Sequence, residues 1–593
     1  MTLGQLPQWR STYLHFAALL TMIAALLILP GTARADSVQC GAVLVSNVSL
    51  DNDVLNCLGD GLVVAADGIT IDLNGKTLDG AGRGVGIRSD GHDGVTIKNG
   101  TVHEFQYGVQ LTPGTVGNVV DGLTVSHNEV VGVQLDGATQ SQIRNTKIEF
   151  QANQGLAILN GSNGNLLFNN TLFTNGDTGI FVQNSNSNLF QSNHVSISGD
   201  RGVVFEGASS NWLVKNTLTN NSDGGFDLVL GSNSNFLYGN DLSLNQDAGF
   251  IVSESNGNRI EQNTVTQNGD AGVVVTRSTG SVLVGNTFSG SSDAGIFLEY
   301  SNDSTIHGND VRFNTGGIEL TSSNGNRVQL NDASSSTGIG IEMQGSINNT
   351  LLLNTANANG AQGIHVESAT ENVLQGNQIW CNTANENKGD GIVVTALTHT
   401  VKSNLANANA GWGIHAATGS VDGGGNVAAG NSEPAQTYGV VSSPGPRDCP
   451  APPPPPPPLW PGDAQPAAPA SGPAAAAPPA AMPTGTLPGT GLARTTAKAA
   501  RKANGARKAN GVRKANARKA PPRCRIPKLK GRKFVKARRA ILGAGCRVGK
   551  VSWRKSKIRR GIVVAQSPRK GTRVKRGFRV KLVRSKGAPA DKD

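Results

Sequence analysis

SSDAGIFLEYSNDSTIHGND, residues 291–310, restates with changes the stretch NGDAGVVVTRSTGSVLVGN at 268–286. Both carry Asp-Ala-Gly, three apolar residues, a polar turn and Gly-Asn, with Asp270 and Asp293 lying 23 residues apart. A glycine that opens a Gly-apolar-x-apolar segment recurs at Gly86, Gly108, Gly132, Gly155, Gly179, Gly202, Gly225, Gly249, Gly272, Gly295, Gly317, Gly340, Gly363, Gly391 and Gly413. The spacing is 22–24 residues except for 28 between Gly363 and Gly391, where one turn carries an insertion. A fixed period of this length is the signature of a stacked repeat architecture.

Helices are excluded by the dominance of Gly, Asn, Ser and Thr and by the lack of apolar residues at i, i+3, i+4. Short alternating strands between Asn/Ser/Gly turns fit instead. In nearly every repeat the residues one and three after the glycine are apolar, as in Ile180/Val182, Phe226/Leu228, Val273/Val275 and Ile296/Leu298. Period-2 alternation sends these pairs inward and the residues two and four after the glycine outward. A unit of this size cannot bury its apolar side alone, whereas stacked units can. The expected fold is therefore all-β, a solenoid of about 15 coils of parallel strands about 4.8 Å apart, forming a rod on the order of 70 Å long.

A second fixed place is held by Asn145, Asn169, Asn193, Asn216, Asn240, Asn263, Asn286, Asn309, Asn331, Asn354 and Asn377. Asparagine tolerates left-handed backbone, and its amide can bond the coils above and below, so these residues are expected to form a ladder. The pattern over about residues 58–425 resembles the right-handed parallel β-helix repeats of the pectate-lyase-like superfamily, including its carbohydrate-binding and sugar-hydrolase type repeats. Residues 40–80 look like the N-terminal cap of such proteins. The superfamily includes lyases, hydrolases, epimerases, adhesins and non-catalytic modules, so the resemblance implies a fold and no single activity.

Outside the repeats the composition changes. Arg10, the run Phe16 to Leu29 and the small-residue site Ala33-Arg34-Ala35 have the layout of a signal peptide over 1–35. That run is short of the roughly 20 apolar residues a membrane span needs, so no stable membrane span is expected after signal removal. Export makes disulfides the expected state of the six cysteines. Cys40/Cys57 and Cys524/Cys546 are the sequence-near pairs and leave Cys381 for Cys449, one among many connectivities that six cysteines allow.

The β-helix with its cap is assigned to 36–443 and a Pro/Ala-rich then Lys/Arg-rich disordered linker to 444–522. Residues 524–587 resemble a PASTA domain, the wall-sensing module of penicillin-binding proteins and Ser/Thr kinases. The matching marks are Ile526-Pro527-x-Leu529-x-Gly531 and Gln566-Ser567-Pro568-x-x-Gly571-x-x-Val574-x-x-Gly577. The small α+β domain is bounded at 523–587, with 588–593 as a tail. Residues 491–593 carry 36 Lys+Arg against 2 Asp, whereas 1–490 carry 17 basic and 39 acidic residues. A strongly basic end on an exported chain points to wall polyanions or peptidoglycan, and no nucleic-acid partner is expected.

Two constellations could carry chemistry. Asp177, Asp200, Asp223, Asp247, Asp270 and Asp293 stand two residues before the register glycine in six consecutive coils. Like charges about 4.8 Å apart repel by about 1 kcal/mol per pair in water, so turn N–H groups or a hard cation such as calcium are expected to offset them. No other cofactor is indicated. Glu319, Glu342 and His365 share one outward place in three successive coils, with Glu299 and Glu367 two residues further along neighbouring strands. Carboxylates on adjacent coils could act as acid and base at a glycosidic bond, or form a solvated acidic face. Arg201 and Arg277 show no evident acidic partners in the sequence. Val204, Ile251, Val274 and Phe297 fall on or near one outward stripe, which could dock sugar or protein or be ordinary scattered surface apolar groups. His92, His103, His127, His194, His307 and His415 read as surface or turn residues.

The function expected is that of an exported envelope protein, secreted or wall-associated, displaying a β-helix for carbohydrate or surface binding and gripping the wall through its basic end. The rival expectation is a polysaccharide hydrolase or lyase acting through the acidic face.

Overall fold

A computed structural model describes residues 34–36, 38–367, 376–395, 398–443 and 445–457, together with most of 523–585. The apolar run Phe16–Leu29, the insertion at 368–375 and residues 458–522 lie outside the described residues. The chain divides into two compact units, Met1–Pro461 and Gly462–Asp593.

In the first unit the coils repeat one plan, whose third strand shrinks in most later coils to a single bridge such as Asp310 to Asp332. After Gly179, Ile180–Gln183 forms the first strand, Leu189–Gln191 the second and His194–Ser196 the third. The next coil supplies Val203–Glu206, Trp212–Val214 and Thr217–Thr219, each paired in parallel with its predecessor. The first-strand sheet holds 18 strands, from Ala42–Leu44 to Thr437–Tyr438. It is longer than fifteen glycines imply because the cap is itself coiled, with Ala42–Leu44 paired in parallel to Leu62–Val64 and that strand to Val85–Ser89, and because Thr437–Tyr438 adds one more strand after Ile414–Ala416.

The inward pairs make one continuous core from Val38 to Val440. Its middle is a stack of rings, Phe205 edge-on to Phe226 at 4.9 Å and Phe226 edge-on to Phe250 at 6.1 Å. The register glycines are dictated by coil spacing: a Cβ on Gly202 would lie 2.6 Å from the carbonyl oxygen of Gly225 in the next coil, and one on Gly272 would lie 2.5 Å from that of Gly295. The backbone of these residues has ordinary φ, so close approach, not conformational freedom, selects glycine.

The asparagine ladder is real, with a corrected membership. Asn193 to Asn354 form one buried series in which each Nδ2 donates to the next Oδ1, as in Asn263 to Asn286 and Asn286 to Asn309 at 3.0 Å. Asn145 and Asn169 instead form an exposed pair, and the buried series begins at Asn170. Asn377 belongs to a second buried ladder, receiving from Asn349, and the first continues through Asn382. Left-handed backbone falls on the residue before the ladder position, Ser192 or Lys215 for example, so the amide is what the corner requires. Each Nδ2 also reaches a carbonyl of the preceding coil, as Asn286 does to Ile260 O at 2.8 Å. Otherwise orphaned groups of a dry corner are thereby satisfied.

The disulfides are Cys40–Cys57, Cys381–Cys449 and Cys524–Cys546, the pairing expected from the sequence. In the second unit Ile526, Leu529, Ala537, Ile541, Val563, Val580 and Leu582 form a small core around Cys524–Cys546. Arg579–Ser585 pairs in parallel with Arg547–Arg554 and antiparallel with Val563–Ser567. The Gln566 side chain joins the two motif segments: Leu529 N–H donates to its Oε1 at 2.7 Å and its Nε2 donates to Pro527 O at 2.9 Å. Among the described residues no helix is long and apolar enough to cross a membrane.

Candidate functional site

Parallel register places one outward column along the first-strand sheet: Val204, Asp227, Ile251, Val274, Phe297, Glu319, Glu342 and His365 on successive coils. A second column, two residues on, carries Glu299, Thr321, Gln344 and Glu367. Glu319, Glu342 and His365 are therefore brought together as their spacing suggests. His365 Nδ1 lies 3.7 Å from Glu342 Oε1, and Gln344 Nε2 donates to the same oxygen at 3.0 Å. Glu342 and His365 keep about a fifth of their side-chain surface in solvent.

Val204, Ile251, Val274 and Phe297 do share a stripe, but they are buried. Ala248, Ala271 and Ala294, each just before a register glycine, pack with Ile251, Val274 and Phe297 in an apolar cluster outside the central core. The alternation rule misses this because it gives direction and not depth: the turn before each strand folds over the outward face.

The aspartate stripe is organised around a guanidinium. Arg201 donates from Nε to Asp227 Oδ2 at 2.6 Å and from Nη1 to Asp200 Oδ2 at 2.8 Å, and its Nη2 lies 3.1 Å from Asp223 Oδ2. Arg201 thus has a carboxylate set beside it, and Arg277 stands 4.0 Å from Glu254, both contrary to expectation. Burial works against the Arg201 charge, but Asp227, Asp223, Asp200 and Asp247 raise its pKa further. Burial pushes Asp200 up to about 7, with Arg201 opposing and Asp223 and Asp177 reinforcing the rise. Burial also raises Asp177. An acid that holds its proton near neutrality beside carboxylates bridged by arginine is an arrangement able to donate a proton. The signal for Asp227 in the sequence is an aspartate at an outward place that is apolar in the neighbouring coils, Val204 and Ile251.

Near the N-terminal end Asp79, His103 and Glu104 bring ligand-competent atoms within 4.8 Å of one another, the only such trio among the described residues. His103 Nδ1 is 2.9 Å from Asp79 Oδ1. A ring ladder runs on from it, His103 to His127 at 5.0 Å, His127 to Phe150 at 5.2 Å and Phe150 to Phe173 at 5.4 Å. The signal in the sequence is the spacing 103, 127, 150, 173, which does not show when the histidines are read one by one.

Family models match this chain in three places: a right handed beta helix region at 41–181 and 167–311, the periplasmic copper-binding protein NosD at 248–382, and the PASTA domain at 525–586. The chain carries a right-handed β-helix and a PASTA domain. No curated protein matches in sequence. Among solved structures the β-helix is similar to the A-module of the Azotobacter vinelandii mannuronan C-5 epimerase AlgE6, with 16% identity over 46% of this chain and 87% of that one, at a TM-score of 0.35. It is similar also to the periplasmic alginate epimerase AlgG, with 15% identity over 44% of this chain and 78% of that one, at 0.32. A DFA-IIIase from Arthrobacter chlorophenolicus A6 is 11% identical over 50% of this chain and 90% of that one, at 0.30. These likenesses concern the fold alone. The PASTA domain, the disulfides and the match to a periplasmic family model point to an extracytoplasmic protein.

Proposed function

We propose that the protein is an exported envelope component whose β-helix binds carbohydrate through the face formed by Glu319, Glu342 and His365, while the PASTA domain attaches it to peptidoglycan or wall polyanions. The observation that carries this reading is the polar lattice on four successive coils, with Glu319, Glu342 and His365 beside Glu299, Thr321, Gln344 and Glu367. Rows of carboxylates and amides repeated at about 4.8 Å offer acceptors and donors to successive hydroxyls of an extended glycan. Arg525, Lys528 and Lys570 line a depression on the PASTA domain, and this positive rim suits an anionic polymer.

A second reading, a polysaccharide hydrolase or lyase, is favoured by one observation: Asp200, pushed up to about 7, stands beside Asp223 and Asp227 across Arg201. A reducing-sugar assay on wild type, Glu342→Gln and Asp200→Asn separates the readings. Turnover abolished by either substitution makes the protein an enzyme; glycan binding without turnover, weakened by Glu342→Gln, makes it a binding protein.

Calcium along Asp177, Asp200, Asp223, Asp247, Asp270 and Asp293 remains part of the proposal only away from Arg201, whose guanidinium occupies the space among Asp200, Asp223 and Asp227. Copper does not fit the NosD-matched stretch. Copper favours imidazole, thioether and thiolate donors, whereas Met343 faces the core, Cys381 is in a disulfide, and His307 and His365 lie on different sheets.

A further inference from the structure

The segment after the last coil has the composition of a free spacer, with seven consecutive prolines at 452–458. Its described part, 445–457, instead doubles back along the solenoid. Cys449 is joined to Cys381, Arg447 Nη1 donates to Asn382 O at 3.5 Å, Trp380 Nε1 donates to Asp448 O at 3.3 Å, and Lys402 Nζ lies 3.0 Å from Asp448 Oδ2. Eight residues later Arg259 Nη2 donates to Pro456 O at 3.1 Å.

The two ends of this run fix its conformation. Register carries the second-strand sheet from Trp380 through Leu352, Gln329, His307 and Val284 to Glu261, five coil steps or about 24 Å. Eight residues of polyproline II helix at about 3.1 Å each span about 25 Å. An extended polyproline helix therefore lies along the rod axis, antiparallel to the order of the coils. Of the outward residues beneath its path, Leu352, His307, Val284 and Glu261 are buried and Gln329 is half-buried, and Arg259 beside Glu261 is buried as well, though alternation alone would leave them in solvent. Glu261 Oε2 accepts from Arg259 Nε at 2.8 Å, which fixes the guanidinium so that its far nitrogen meets the proline carbonyl. At the other end Lys402 sits over the Trp380 ring at 4.9 Å and steadies the indole that donates to Asp448.

These are the means by which proline-rich ligands are bound: a rigid helix that loses little entropy, a groove with aromatic and apolar walls, and side-chain N–H donors aimed at carbonyls that no backbone partner satisfies. We infer that the outward face of the second-strand sheet between Arg259 and Trp380 is a polyproline-binding groove whose resident ligand is the chain's own segment 448–457, latched by Cys381–Cys449. The groove is thereby closed to other ligands.

The test uses the full chain with Pro453, Pro454, Pro455 and Pro456 each replaced by glycine and the disulfide retained. A fluorescein-labelled peptide of residues 446–458, with serine at Cys449, is titrated against this variant and wild type and read by fluorescence anisotropy. The variant is expected to bind at least tenfold more tightly than wild type, with a Gly/Ser peptide of equal length binding neither. Equal binding to both proteins, or binding to neither, overturns the inference. Should the glycine variant fail to fold, Arg259→Ala in the otherwise natural chain gives a second readout. Hydroxyl-radical footprinting should then show at least a twofold rise in labelling at Leu352, His307 and Trp380, and unchanged labelling overturns the inference.

Discussion

Arg201 Nε stands 2.6 Å from Asp227 Oδ2, joining a residue of one coil to the outward face of the next and drawing Asp200 and Asp223 into the same cage. The cage explains how stacked aspartates are tolerated. Arg201→Leu removes the shared counter-charge from buried Asp227, and losing one partner of such a set costs about 3 kcal/mol. The midpoint of urea unfolding should fall, by more at pH 8 than at pH 5, where the carboxyls can take up protons. An unchanged midpoint at pH 8 rules the cage out as a stabilising unit.

Asp200 gives the protein a pH dependence of definite sign. Its folded-state value of about 7 lies above the ordinary 3.8, so the folded protein binds the extra proton in that window. The stability this group contributes is full below about 3.8 and is lost as the pH rises through about 7. Asp200→Asn should therefore raise the melting temperature at pH 8 relative to wild type and leave it nearly unchanged at pH 4. A shift of equal size at both pH values contradicts the assignment.

His399 works in the opposite sense. It stands where the second ladder would place another asparagine, and its Nδ1 accepts from Asn377 N–H at 2.8 Å. Burial lowers its pKa, so its contribution is complete above the ordinary histidine range near 6.5 and is lost as the pH falls. His399→Asn restores an amide acceptor that does not titrate. Melting curves from pH 7 to pH 5 should be flatter for the variant, and an identical acid loss in both proteins refutes the role.

Each rung of the main ladder should matter on its own. Asn286→Ala strips the acceptor from Asn263 Nδ2 and leaves the Ile260 carbonyl without its side-chain donor, and a buried polar group so stranded costs about 1–3 kcal/mol. Amide exchange should rise in the coils on either side, Gln262–Val265 and Gly285–Phe288. Uniform protection equal to wild type argues that water replaces the amide.

The 23-residue period makes the solenoid legible in the amino-acid sequence, because coil geometry forces a glycine wherever the next coil's carbonyl leaves no room for a Cβ. The same periodicity puts Glu319, Glu342 and His365 in one column. Period alone does not fix which of two adjacent asparagines turns inward, and so Asn169 stood in for Asn170. Nor does it show the Arg201 cage, two of whose partners, Asp223 and Asp227, lie 22 and 26 residues from it and depend on how the turn before Gly202 aims the side chain. Composition makes 444 onward a spacer, since nothing local distinguishes a proline run in water from one lying in a groove; the contact with Arg259 is 197 residues away.

The division of labour between the β-helix face and the PASTA domain is tested by co-sedimentation of the full chain, and of a chain ending at residue 457, with purified cell walls and with insoluble neutral and acidic polysaccharides at low and high salt. The full chain should sediment with walls and release as salt rises, while the shorter chain should stay soluble with walls yet pellet with a glycan in a manner weakened by Glu342→Gln. Sedimentation of both chains with walls alike, or indifference of glycan binding to Glu342→Gln, contradicts the division of labour between the β-helix face and the PASTA domain.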